Sequence, residues 1–195
     1  MTEGYRIIGA EMSPYSVKVR SYFRYKAIPH QWVLRNAASQ AEYARHAKIP
    51  VIPLVVTPEG TGIQDSTPII DHMEALLPEP HIHPDDPVAR FVSMLIEEFG
   101  DEWGNKWMFH FRWARDVDQR SSAGRIARMM APNASEAELA PFAEQVRARM
   151  TGRVWFVGSN EANAPHIESG FREMLALLEA HLATRPYLFG ARPAY

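Results

Sequence analysis

The pattern of apolar and polar positions changes character near the middle of the chain. In the first half, short runs of apolar and β-branched residues predict strands over residues 5–9, 31–34 and 51–57. Apolar residues at helical spacing predict helices that begin at Ser13 and Ser66 and end near residues 26 and 77. Because a helix joins the first two strands, we expect those strands to lie parallel.

Two weaker patterns complete this half. Residues 37–47 have a poorly periodic helical pattern, and the turn at 58–62 predicts that 63–65 pairs back as a hairpin strand. The predicted order is therefore β-α-β-α-β-β-α. This order gives an α/β domain over residues 1–78.

The second half has helical periodicity almost throughout. Four prolines, at 78, 80, 84 and 87, predict a stiff linker over residues 79–87. Beyond it, helices are predicted over 88–115, 121–130, 135–150 and 164–183, and only Val154–Val157 resembles a short strand. We therefore expect an all-helical domain over residues 88–195, with a core stripe on the helix at 164–183.

Composition excludes several classes of function. The chain has no cysteine, so disulfides, thiolate metal sites and redox dithiols are excluded. The formal net charge of −2 gives no general attraction to nucleic acid or membrane surfaces. No run approaches about 18 apolar residues, and the N-terminus lacks the pattern of a signal peptide, so the expected location is the cytoplasm.

The clearest chemical feature is the first helix start, at Ser13-Pro14-Tyr15-Ser16. Serine is a favoured N-cap, and proline is tolerated at the first helical position because its missing N–H would have no partner there. The free N–H groups and the positive end of the helix dipole favour an anion at this point. Since the chain has no thiol of its own, any thiolate bound there must belong to a ligand.

Three short motifs, the first of them at this helix start, resemble motifs of the glutathione transferase superfamily. The first is Ser13-Pro14-Tyr15-Ser16, which lies where omega-class members carry a catalytic cysteine and zeta-class members a catalytic serine. The second, Ile52-Pro53-Leu54, is similar to the Val-Pro-x-Leu segment of the family, whose proline is cis. The third, Gln64-Asp65-Ser66, is similar to the Glu/Gln-Ser pair that holds the γ-glutamyl group. The resemblance covers nearly the whole chain and implies a thioredoxin-like domain followed by a helical domain.

The resemblance also implies roles for individual residues. Ile52 and Pro53 would bind the cysteinyl part of glutathione, and Asp65 and Ser66 its γ-glutamyl part. Ser13 would stabilise the thiolate, with Ser16 and Tyr15 as alternatives. Arg35 and Lys48 are candidates for the glycine carboxylate by charge and position. Because serine cannot form a mixed disulfide, thiol-disulfide exchange is not expected.

A substrate pocket is predicted in the helical domain at Trp103, Trp107, His110 and Phe111, although core packing is the better explanation for most of this aromatic stripe. The expected function is conjugation of glutathione to a small apolar electrophile by a homodimer. Two alternatives are a non-catalytic glutathione-binding protein and a zeta-like isomerase that uses glutathione as a cofactor.

Three further interpretations complete the sequence-based picture. Ser13 and Ser66 could serve only as helix caps. The residues at His81, His83, Asp85 and Asp86 include metal-ligand types but lie in the linker, so no metal site is expected. Family members continue past residues 190–195 into a buried helix, so the resemblance implies either a helical domain that is cut short or an unusual tail. A domain without that helix would expose apolar faces.

Overall fold

The computed structural model describes residues 4–195. These residues form two compact units. The first comprises residues 4–81 with Gly124–Phe142, and the second comprises Ile82–Ala123 with Ala143–Tyr195. The domain and linker boundaries drawn from the sequence remain a prediction.

One mixed sheet of four strands lies in the first unit. Its strands are β1 (Tyr5–Gly9), β2 (His30–Leu34), β3 (Leu54–Val56) and β4 (Gly62–Gln64). Their spatial order is β2-β1-β3-β4. β2 is parallel to β1, β3 is antiparallel to β1, and β4 is antiparallel to β3. The predicted parallel pair and the predicted hairpin are both confirmed.

Helices account for most of the rest. They are α1 (Pro14–Tyr25), α2 (Gln40–His46), α3 (Ser66–Leu76), α4 (Pro87–Glu98), α5 (Asn105–Trp113), α6 (Asp116–Met130), α7 (Glu136–Thr151) and α8 (Ala164–Leu182). The thioredoxin-like first half and the helical second half agree with the predicted fold class. Among residues 4–195, no helix combines the length and the apolar character needed to cross a bilayer.

The single helix predicted over residues 88–115 is interrupted. A π-helical segment, Phe99–Gly104, separates α4 from α5. Gly100 and Gly104 both lie in this segment, and glycine weakens an α-helix because it loses the most backbone entropy. The prediction of a regular helix was therefore wrong at this point, although the chain stays helical.

The strand-like segment Val154–Val157 is a 3₁₀-helix. Phe156 N–H donates to Arg153 O at 2.9 Å, and Gly158 ends the segment with φ 72°. Four residues rich in valine are too few for composition to separate a strand from a tight helical turn, and the left-handed glycine decides it.

The core of the first unit lies on the faces of the sheet. Its fully buried side chains include Ile7 and Leu54 on the strands, Val19 and Phe23 on α1, and Ile69 on α3. The predicted apolar stripes of α1 and α3 therefore face this core. These core contacts also hold the ends of the strands in position.

The stripe of α8 is only partly buried, contrary to the expectation of a core stripe. Phe171 and Met174 are half-buried, whereas Leu175 and Leu182 are exposed. Apolar side chains of α4 are exposed as well, including Phe91 and Leu95. Apolar side chains on both helices are therefore open to solvent.

An ion pair fastens α2 to β1. Arg6 donates to both carboxylate oxygens of Glu42, through Nε at 2.5 Å and Nη2 at 2.7 Å. This hydrogen bonding lowers the pKa of Glu42 below its ordinary 4.5. The folded state therefore favours the carboxylate, and the pair stabilises the protein above the unfolded pKa and loses that contribution as pH falls through the folded pKa.

We expect Glu42→Gln to reduce the free energy of unfolding by about 1 kcal/mol at neutral pH, because the pair is partly exposed. The difference from the unsubstituted protein should shrink as pH falls from neutral through the lowered folded-state pKa of Glu42. Urea unfolding across this pH range measures it, with the exposed Glu161→Gln as control. A difference that does not change with pH would contradict this account of the pair.

Candidate functional site

The ends of the four strands bring the predicted motifs to one edge of the sheet. β1 and β2 are parallel and end together, with Gly9 opposite Leu34. β3 begins at this edge because it is antiparallel, with Leu54 opposite Ile8, and β4 ends there, with Gln64 opposite Leu54. The segments after β1, before β3 and after β4 therefore start or end at the same edge.

Ser13 caps the helix that leaves this edge. Its side chain accepts a hydrogen bond from Ser16 N–H at 3.2 Å, and Pro14 occupies the first helical position, as predicted. The first turn of α1 contains no acidic residue. The positive end of the helix dipole is therefore not neutralised by its own first turn, and an anion is favoured there.

Ser16 lies on the inner side of α1. It is fully buried, and a Cβ placed on Gly9 would come within 2.9 Å of its Oγ. The close approach of α1 to β1 therefore requires glycine at position 9. Ser16 packs against the strand, whereas Ser13 and Tyr15 are both half-buried.

Ile52 and Pro53 lead into β3. The peptide bond between them is cis, as the resemblance implies. Pro53 is buried and Ile52 is half-buried. The backbone of Ile52 therefore lies two residues before the start of β3.

Asp65 and Ser66 form the start of α3, but not as predicted. Asp65 is the N-cap, and its carboxylate accepts from Ser66 N–H at 2.7 Å, so Ser66 is the first helical residue and not the cap. Asp65 has φ 75°, a conformation uncommon for residues other than glycine. Such conformations concentrate at functional sites, which supports a ligand-binding role for this turn.

The two candidate cations also belong to this unit. Arg35 directly follows β2, its N–H donates to Gly9 O at 2.8 Å, and its guanidinium lies 3.9 Å from the centre of the Tyr43 ring. Lys48 is exposed and lies four residues before Ile52. Arg35 is therefore at the same strand ends as Ser13, and Lys48 is on the loop that leads to Ile52.

The predicted substrate-pocket residues lie in the second unit in different environments. Trp103 is 61% exposed, with Lys106 Nζ 3.6 Å from its ring centre. Trp107 and Phe111 pack against Phe171, with ring centres 5.8 and 4.8 Å apart. These aromatic side chains are accessible or partly accessible, as a pocket requires.

His110 differs from its predicted neighbours. It is fully buried, and its Nδ1 lies 2.7 Å from Ser159 Oγ. The ring is enclosed by the surrounding helices, and its Nδ1 is already committed to Ser159. We therefore correct the expectation that His110 borders a cleft and leave it out of the proposed pocket.

An apolar groove of about 590 Å³ opens in the second unit. Its lining residues come from α4, the π-helical segment, α5, α8 and the residues after α8. Trp107 is the one predicted pocket residue in this lining. The groove has the size of a small-molecule site and an almost purely apolar wall.

The linker residues have structural partners. The His83 ring packs edge-on against the Tyr195 ring, with centres 5.7 Å apart, and Arg192 pairs with Asp85 at 3.0 Å. Within residues 4–195, no group of three His, Asp or Glu side chains is arranged to hold a metal ion.

Sequence reasoning missed the contacts that two residues make beside the site. The side chains of Tyr43 and Gln64 both bind the backbone of the loop before Ile52. The position of Gln64 next to Asp65 was the only signal in the sequence. Its partners lie 13 to 16 residues away and depend on the β3–β4 register.

The comparisons with known proteins agree with this geometry. Residues 7–81 match the family described as glutathione S-transferase, N-terminal domain. This match confirms the resemblance to the glutathione transferase superfamily, but not its serine-type subclass. No curated protein sequence matches the chain.

Solved structures share the fold at low identity. A glutathione S-transferase from Rhodospirillum rubrum is 17% identical, covers 98% of this chain and 72% of its own, and has a TM-score of 0.59. FzlA from C. crescentus has the same identity and coverage, with a TM-score of 0.61. A glutathione S-transferase from Methylobacterium radiotolerans in complex with glutathione sulfonate is 22% identical, covers 98% of this chain and 95% of its own, and has a TM-score of 0.51. At these identities the likeness shows the fold alone.

Proposed function

Because residues 7–81 belong to the glutathione S-transferase N-terminal domain family, we propose that this protein binds glutathione at the sheet edge described above and transfers its thiolate to a small apolar electrophile. The main support for the proposal is that three motifs lie at the same edge of the sheet. Ser13, Ile52-Pro53 and Asp65-Ser66 lie on segments that strand register brings together.

Each part of the tripeptide has a matching group. The γ-glutamyl carboxylate would meet the N-terminus of α3 at Ser66, where N–H groups and the helix dipole favour negative charge. The exposed carboxylate of Asp65 would face the amino group. The backbone of Ile52 would pair with the cysteinyl residue in the manner of an added strand. Arg35 or Lys48 would meet the glycine carboxylate.

This placement sets the sulfur at the start of α1. The Ser13 hydroxyl would donate to the thiolate, and the dipole would add to its stabilisation, so the thiol pKa falls. Each unit of lowering is worth about 1.4 kcal/mol. A fall of about 2 units from the usual value near 8.5 would make most of the bound thiol nucleophilic at neutral pH.

The reaction then balances without a metal or a redox partner. The thiol proton passes to solvent, and the sulfur lone pair forms a bond to the electrophilic carbon. A leaving group departs with its bonding electrons, or the adduct takes up a proton. Trp103, Trp107 and Phe111 are the proposed contacts of the electrophile. The proposed assembly is a homodimer, and the proposed location is the cytoplasm.

Ser66→Ala tests the binding half of the proposal. We expect the variant to bind glutathione roughly tenfold more weakly or worse, because a hydrogen bond to a charged group is lost. Calorimetric titration measures the affinity, with Ser93→Ala, which also removes a fully buried helical serine, as a matched control. Equal affinity in the Ser66→Ala variant and the unsubstituted protein would contradict the assigned γ-glutamyl site.

An aryl halide conjugation assay tests the chemical half. Turnover supports the transferase. Binding of glutathione without turnover on a broad panel of electrophiles would instead support a non-catalytic glutathione-binding protein, which the capping role of Ser13 also permits.

A further inference from the structure

The loop before Ile52 is held by one amide side chain. Oε1 of Gln64 accepts from the N–H groups of Lys48 at 2.7 Å and Ile49 at 3.2 Å. Its Nε2 donates to the carbonyls of Ile49 at 2.8 Å and Val51 at 3.1 Å. These four bonds use the full donor and acceptor capacity of a carboxamide, and their partners fix its orientation.

A second side chain reaches the same two carbonyls from the other direction. The Tyr43 hydroxyl lies 2.7 Å from Val51 O and 3.0 Å from Ile49 O. The Tyr43 ring is buried in the cluster that includes Ile8 and Leu54. The loop is therefore tied both to the end of β4 and to the core under α2.

The two ends of the loop also pack on the core, because Ala47 and Ile52 contact the same cluster. Residues 47–53 contain no helix or strand, and Ile49 and Val51 are exposed side chains. Backbone groups in such a segment would otherwise exchange between conformations that water can satisfy equally well. The side chains of Gln64 and Tyr43 thus replace the missing secondary structure.

Gln64 also adjoins the turn at Asp65 that begins α3. Its side chain fastens the residues directly before Ile52, while its backbone directly precedes Asp65. One residue therefore links the segment assigned to the cysteinyl group with the turn assigned to the γ-glutamyl group.

We propose that Gln64, assisted by Tyr43, is a positioning residue that fixes the backbone of Ile52 relative to Asp65 for an extended peptide ligand. The inference rests on the proposed function for the identity of that ligand as glutathione. A ligand that pairs with backbone groups gains affinity when those groups are already ordered, because less conformational entropy is lost on binding. Gln64 acts through Ile52 and does not itself touch the thiol.

Two measurements on Gln64→Met and Tyr43→Phe test this role, with the exposed Gln40→Met as a matched control. The first is amide hydrogen exchange of the protein without ligand. In Gln64→Met we expect faster exchange at Lys48 and Ile49, whose N–H groups lose their acceptor, and unchanged exchange in the sheet.

The second measurement is the affinity for glutathione. Gln64→Met should bind roughly tenfold more weakly, and Tyr43→Phe severalfold more weakly. The double variant should depart from the sum of the single effects, because both side chains hold the same carbonyls. If the electrophile reaction proceeds, the loss should appear in KM for glutathione and leave kcat nearly unchanged.

The outcomes separate this inference from the proposed function. If the unsubstituted protein fails to bind glutathione, the proposed ligand is wrong, while faster exchange confined to the loop still supports the anchor. Unchanged exchange at Lys48 and Ile49, or wild-type affinity in Gln64→Met, would overturn the inference. Exchange that rises throughout the sheet would overturn it as well, since Gln64 would then be a general structural residue.

Discussion

Ser13→Asp is expected to lower kcat/KM for glutathione conjugation by about 100-fold or more, because it removes a donor and places a charge next to the thiolate. The carboxylate can still accept from Ser16 N–H, so the helix cap is kept. The bound thiol should titrate at higher pH than in the unsubstituted protein. Ultraviolet absorbance of the thiolate as a function of pH measures this directly.

Two companion variants separate activation from capping. Ser13→Ala loses both the donor and the cap, so it should be less stable than Ser13→Asp by about 1 kcal/mol yet more active. Ser16→Ala should leave the thiol titration unchanged, because Ser16 is buried against β1. Activity of Ser13→Asp equal to that of the unsubstituted protein would show that Ser13 is only a cap.

Lys26→Ala is expected to reduce the free energy of unfolding by about 3 kcal/mol, the cost of breaking a buried ion pair. The ammonium group of Lys26 is fully buried, 2.6 Å from Glu74 and 3.0 Å from each of the carbonyls of Pro78 and Pro80. Its three donors are thus satisfied. Alanine would leave the Glu74 carboxylate without its cation and two carbonyls without a donor.

Urea unfolding of three variants measures this effect. Arg24→Ala, an exposed cation on the same helix, is the control and should change stability little. The double variant Lys26→Met with Glu74→Gln should recover part of the loss, because no uncompensated charge remains and Gln can still accept from the Tyr22 hydroxyl. Equal losses in Lys26→Ala and Arg24→Ala would contradict a stabilising role for the buried pair.

Local patterns predicted the elements with clear start and stop signals. The strand at Tyr5–Gly9 and the helix from Ala164 agree with the structure to within a residue. The helix predicted over residues 135–150 begins with a capping box, in which Ser135 N–H donates to Glu138 at 2.8 Å. In each case the residues that decide the structure are close in sequence.

The errors come from longer-range or subtler effects. The N-cap of α3 is Asp65 and not Ser66, because the short Asp65 carboxylate reaches the first helical amide. Composition alone does not distinguish an aspartate cap from a serine cap. His110 is buried, and its hydrogen-bond partner Ser159 lies 49 residues away in the sequence. The Gln64 anchor depends on a strand register that no single segment specifies. The helix starts were therefore predictable from local sequence, and the long-range contacts around them were not.

The most direct test of the central claim is a crystal structure of the protein with glutathione. The account predicts the γ-glutamyl group at Asp65 and Ser66, the cysteinyl backbone paired with Ile52, and the sulfur within hydrogen-bond distance of the Ser13 hydroxyl. Glutathione bound away from this edge, or a sulfur that does not approach the start of α1, would contradict the account.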